Sequence, residues 1–143
     1  MFRDASFREK SAWISFVLIL VASAVYFTHA AIALAAGDEG PLSFHLFLAL
    51  VILVALLEVV LHALLRRQAP HEARTPRDER ERLIATQATA SAYWVLLVGA
   101  FATIVAMHVT RDIPALIHVL AFAIVVAELA KFGRVIALYR RSR

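Results

Sequence analysis

The chain contains no cysteine. That excludes disulfides, thiolate metal sites and dithiol redox chemistry, including the quinone-linked thiol oxidation that some four-helix membrane enzymes perform. Glycine is almost as scarce, with four residues in the whole chain, and no glycine-rich phosphate-binding loop is formed. Charge is missing from long stretches. Trp13–Ala36 has no Asp, Glu, Lys or Arg, and Leu42–Leu65 has only Glu58.

What remains is apolar. The 143 residues are 62% hydrophobic, and the mean hydropathy is +0.75. A soluble domain of this length is rarely so apolar. Four long runs stand out: 13–36, 42–65, 83–109 and 113–130. A membrane-spanning helix needs about 20 mostly apolar residues at a rise of about 1.5 Å each. The third run opens on the polar turn Thr86-Gln87-Ala88-Thr89 and is clean from Ala90 to Val109; the fourth is the shortest and carries Glu128. The expected fold is an all-α membrane protein: four transmembrane helices in two antiparallel hairpins, forming one compact bundle and one domain over residues 1–143, with no soluble domain. The first run is too long for the core of a cleavable signal peptide, and a second span follows it closely.

Cations mark the orientation. Arg3, Arg8 and Lys10 precede the first run. Arg66, Arg67, Arg74, Arg77, Arg80 and Arg82 lie in the 66–82 loop. Lys131, Arg134, Arg140, Arg141 and Arg143 end the chain. The two remaining turns hold only Arg111, beside Asp38, Glu39 and Asp112. Cationic residues stay on the cytoplasmic side, so both termini are expected in the cytoplasm of a bacterial inner-membrane protein. The bias of 14 to 1 counts against the dual topology of small multidrug transporters. The net charge of +4 and pI near 10.1 follow from this topology, and nucleic acid is not an expected partner.

The outer turns are short, so consecutive helices should be antiparallel neighbours. In the 66–82 loop, Thr75 is expected to cap a helix whose first residue is Pro76, with Asp78 near its positive end. Arg77–Glu81 and Asp78–Arg82 are i,i+4 pairs. The third helix should then run from Pro76 to Val109, about 50 Å, with two turns projecting beyond the hydrocarbon core. Its exposed start, Arg77, Asp78, Glu79, Arg80, Glu81 and Arg82, is either a solvated helix end or a docking surface for a cytoplasmic partner.

A weak repeat relates the halves. His29 is followed by Pro41-x-x-x-His45, and His108 by Pro114-x-x-x-His118. Each half then has an acid deeper in the helix, Glu58 or Glu128, at spacings of 13 and 10 residues. Two hairpins that both enter from the cytoplasm would form a parallel 2+2 repeat about an axis along the membrane normal.

Three groups of residues carry possible chemistry. His29, His45, His108 and His118 fall near the outer ends of their helices, one each. If they met in the bundle they would suit Zn²⁺ or Cu²⁺, and two of them would suit a b-type haem, with Tyr26, Phe27, Phe44 and Phe47 around the pocket. The plainer reading is interfacial or packing histidines with no cofactor. Glu58 and Glu128 lie well inside their spans, where an ionised side chain costs roughly 2.5–3.5 kcal/mol on insertion scales. Each has a partner on its own helix: His62 at i+4 of Glu58, and Lys131 at i+3 of Glu128. They read as a proton relay or cation site where the second and fourth helices meet, or as paired structural acids that snorkel. Nothing resembles a nucleophile site. Ser15, Ser23, Thr28, Thr89, Ser91, Thr103 and Gly99 read as close-packing positions, and Trp13, Tyr93 and Trp94 as an aromatic belt at the inner interface.

The stretches Phe7-Arg8-Glu9-Lys10-Ser11-Ala12-Trp13-Ile14 and Asp78-Glu79-Arg80-Glu81-Arg82-Leu83-Ile84, with Ala92-Tyr93-Trp94-Val95-Leu96-Leu97 downstream, resemble a family of small uncharacterised bacterial inner-membrane proteins. These have four helices and an acidic-basic segment opening the third. The resemblance spans nearly the whole chain and rests on two short motifs. Relatives encoded beside small helix-turn-helix regulators imply a membrane partner that docks or senses, and no catalytic residue is carried over. Three functions follow as expectations: a non-enzymatic interaction, sensory or subunit protein; a metal- or haem-binding bundle; and a small proton- or cation-coupled transporter using Glu58 and Glu128. The bilayer is the first expected partner, a cytoplasmic protein at 75–82 the second, and a further copy of the chain the third.

Overall fold

The computed structural model describes residues 6–37, 42–70, 76, 78–111 and 113–141. Among them the only regular structure of length is four helices: α1 (Phe7–Ala35), α2 (Leu42–Gln68), α3 (Glu79–Thr110) and α4 (Ile113–Arg141). Each is long and apolar enough to cross a membrane. The apolar residues are turned outward: Val59, Val98, Phe101 and Ile104 are among many that are more than half exposed. In water that would be an unstable surface. In lipid it is the expected one, because the tails solvate apolar side chains while each helix satisfies its own backbone.

The helices reach past the apolar runs, most of all α4, which continues to Arg141. Arg140 and Arg141 lie in its last turn, where cations meet the negative end of the helix dipole. The Arg140 guanidinium also covers the Trp13 ring at 5.2 Å, a cation–π contact that ties the end of α4 to the start of α1. Trp13 is thus half-buried beneath a cation. Tyr93 and Trp94 are exposed and meet only edge to face among the ring contacts found.

The start of α3 departs from expectation. Pro76 is not helical, and Thr75 and Arg77 lie outside the described residues. The cap is Asp78, whose carboxylate accepts the Glu81 backbone N–H at 2.7 Å. An acid here both pairs with an orphan N–H and opposes the helix dipole, so it displaces the earlier start. Ser6 caps α1 in the same way, its hydroxyl oxygen accepting from Glu9 N–H at 3.2 Å.

Packing runs α2–α1–α4–α3, with α3·α4, α4·α1 and α1·α2 the substantial interfaces. The α3–α4 hairpin is the tightest. Ala88 is fully buried, and Ala121, Ala123 and Ala127 are nearly so. At Gly99 an added Cβ would collide with the Ala123 methyl. Small residues here let two backbones approach closely, the usual source of helix adhesion where lipid competes equally for apolar side chains. Ser15 is likewise buried, but Thr28 and Thr89 are exposed. The hydroxyls of Thr86, Thr89, Ser91 and Thr103 each donate to the carbonyl four residues earlier, and Ser23 donates to Leu20. They satisfy their own helices rather than forming a reactive site.

Candidate functional site

The two intramembrane acids share a cavity. Glu58 of α2 and Glu128 of α4 line one cavity of about 300 Å³, whose wall also includes Ser23 and Tyr26 of α1 and Phe47 of α2. α1 stands between the other two as the third wall, since α2 and α4 share no substantial interface of their own. A larger groove of about 710 Å³ lies between α1 and α4. Its lining holds no titratable group and it is open to the lipid side.

The acids differ in their partners. Glu128 receives Lys131 Nζ at 3.0 Å, as the i,i+3 spacing indicated. Glu58 does not receive His62. The His62 ring reaches back one turn and its Nδ1–H donates to the Glu58 backbone carbonyl at 2.7 Å. A helical side chain lies over the preceding turn, which puts the carbonyl within reach of the ring. Glu58 Oε1 is left buried with no hydrogen-bond partner. With its Nδ1 donating, neutral His62 carries its lone pair on Nε2. His62 and Lys131 both line a second cavity, of about 410 Å³, at the end of the bundle that carries the cations.

On the other side of Glu58 stands Tyr26, the one large side chain among the described residues that is fully buried. Its hydroxyl is hydrogen-bonded to His118 Nδ1 at 2.7 Å, across from α1 to α4. With Nε2 protonated, His118 accepts from Tyr26; with Nδ1 protonated, it donates to the phenol oxygen. The Tyr26 ring packs edge-on against Phe27 and tilted against Phe47 and His118. The aromatic surround expected for the outer histidines therefore forms around a tyrosine; the Phe44 side chain lies outside the described residues. Tyr26→Phe should keep the ring packing and lose only this bond. We expect a loss of about 1 kcal/mol, read as a small drop in thermal midpoint.

The four outer histidines behave differently from one another. His118 is engaged by Tyr26. His29 keeps a buried Nδ1 with no hydrogen-bond partner, and His45 and His108 lie exposed. Among the described residues, no three His, Asp or Glu side chains are grouped as a metal-ligand set. The two halves differ at their acids: Glu128 has Lys131 as a side-chain partner, while Glu58 Oε1 has no hydrogen-bond partner.

The start of α3 is divided. Glu79, Arg80 and Arg82 are exposed, while Glu81 turns inward. Its carboxylate pairs with Arg8 Nε of α1 at 2.7 Å and accepts from the Tyr139 hydroxyl of α4 at 3.4 Å. The expected Arg77–Glu81 pair cannot be described, because Arg77 lies outside the described residues. Sequence reasoning missed this three-helix clasp, and missed that Glu9 is buried. The signal available was the clustering of both signs around the same end of α1, α3 and α4.

Four long apolar helices with ionisable groups turned into shared cavities define a multi-pass α-helical membrane protein. Compared with protein-family models, curated proteins and solved structures, the chain matches none of them.

Proposed function

We propose that this is a small proton-conducting membrane protein in which Glu58 takes up the proton. One observation carries the reading: a carboxylate oxygen of Glu58 is buried without a partner in a cavity it shares with Glu128. Holding that group ionised in a low-dielectric site is costly. Binding a cation relieves the cost, and a proton relieves it with no further ligand. Glu128 is already balanced by Lys131, so Glu58 is the open site. The cavity wall is mainly apolar, with Ser23, Tyr26, Glu58 and Glu128 its only hydroxyl or carboxylate bearers. Ser23, Tyr26 and Glu128 already have partners, which leaves the Glu58 carboxylate alone against the six or more oxygens that a calcium or magnesium ion takes.

Proton carriers stand on both sides of Glu58. Toward the basic end His62 has a free Nε2 lone pair when neutral; toward the other end the Tyr26–His118 pair can pass a proton in either direction. The one-sided charge supports the bacterial inner membrane as the setting, with both termini in the cytoplasm. The test is proton flux in proteoliposomes under an imposed potential, followed with an internal pH dye. Wild-type protein should acidify or alkalinise the lumen according to the sign of the potential. Glu58→Gln should reduce the rate at least tenfold, to that of protein-free vesicles. Flux unchanged by Glu58→Gln would refute the reading.

A further inference from the structure

The second cavity, at the basic end, is lined by all four helices. Arg8 and Ser11 come from α1, His62 and Arg66 from α2, Glu81 and Thr89 from α3, and Lys131 and Tyr139 from α4. Among these charged groups, three cations face one acid. Glu81 is matched by Arg8 and Lys131 by Glu128. The lining carries +2 when His62 is neutral; Glu128, outside the lining, balances Lys131, so Arg66 is the charge left over and the net excess is +1. Arg66 is exposed at the rim of the cavity, where its guanidinium can meet a ligand from the headgroup layer, and Arg is the residue best suited to hold the oxygens of a phosphate.

We infer that this cavity binds the phosphodiester headgroup of an anionic phospholipid. The monoanionic phosphodiester matches the excess charge. The cavity volume of about 410 Å³ is within the range of small-ligand sites. Access is lateral: α2 and α3 both line the cavity but share none of the substantial helix interfaces. The unsealed side therefore lies between these two helices, at headgroup level. Leu64 of α2 and Leu83 of α3 are exposed close by in sequence and supply apolar surface for an acyl chain. Basic pockets between transmembrane helices on the cytoplasmic side are a recurrent site for anionic headgroups. The two sites share His62 but are tested at different residues, Arg66 and Glu58, and can fail separately.

Native mass spectrometry of the full chain in neutral detergent tests it. The protein is titrated with an anionic and a zwitterionic phospholipid of identical acyl chains, and separately with inorganic phosphate as competitor. One anionic lipid should be retained, with at least tenfold preference over the zwitterionic one. Arg66→Gln should reduce that preference about tenfold. Arg134→Gln removes the same charge from an exposed site outside the cavity and should leave it unchanged. Equal retention of both lipids, equal effects of the two substitutions, or displacement of the lipid by millimolar inorganic phosphate would each overturn the lipid assignment. The last result would make the cavity a site for a free phosphate anion.

Discussion

Gly99→Leu should separate α3 from α4 and lower stability by about 3 kcal/mol, the upper part of the usual range for over-packing. Even the first added carbon meets the Ala123 methyl and backbone. Neither can move without displacing the helix, since both atoms sit on the rigid rod of α4. The α3–α4 contact is the largest helix interface, and in lipid it has no hydrophobic driving force to fall back on. Thermal unfolding in detergent, followed by circular dichroism, gives the loss. A volume-conserving exchange identifies its cause. Gly99→Ala alone should be destabilising, and Gly99→Ala with Ala123→Gly should recover most of the loss. Non-additivity of that kind is the mark of two residues in direct contact.

Glu58→Leu should act in the opposite direction on stability while removing function. A buried polar atom without a hydrogen bond costs about 1–3 kcal/mol in mutational data. Leu at this position meets the Leu50, Val51, Val54 and Ala55 side of the cavity wall. The variant should therefore be more stable than wild type by about that amount and conduct no protons. A site that is costly to fold yet needed for conduction is a trade of stability for activity. Glu128→Leu should not behave alike. It removes the Lys131 ion pair, whose two side chains are 36% and 41% exposed, and should cost at most about 1 kcal/mol with no gain in stability.

The fold was largely legible because the strongest signals in the chain are length and apolarity. Four runs and short turns prescribe two hairpins. Helix ends were less legible. Thr75-Pro76 is a good start signal, but Asp78 competes with it and makes the observed cap. The acids were legible by depth, but that α1 stands between their helices as a wall of the cavity they both line was not. Their partners were not. His62 at i+4 has two acceptors within reach, the carboxylate and the carbonyl of Glu58, and spacing cannot choose between them. Contacts between helices, such as Tyr26 with His118 and Arg8 with Glu81, depend on the rotation of each helix about its axis. These helices are apolar nearly all round, so they carry almost no amphipathic signal from which a rotation could be read. For the same reason one histidine per helix at equal depth said nothing of which rings face inward.

The central claim is that protons cross at the Glu58 carboxyl. It is tested most directly by chemical modification. A hydrophobic carbodiimide reacts with protonated carboxyl groups in apolar surroundings. Proton flux and the fraction of Glu58 modified, by peptide mass spectrometry, are measured on the same proteoliposomes at increasing reagent. The account predicts modification at Glu58 ahead of the ion-paired Glu128, with flux falling in proportion to the modified fraction and reaching zero when modification is complete. Full flux through protein whose Glu58 is fully modified would contradict it.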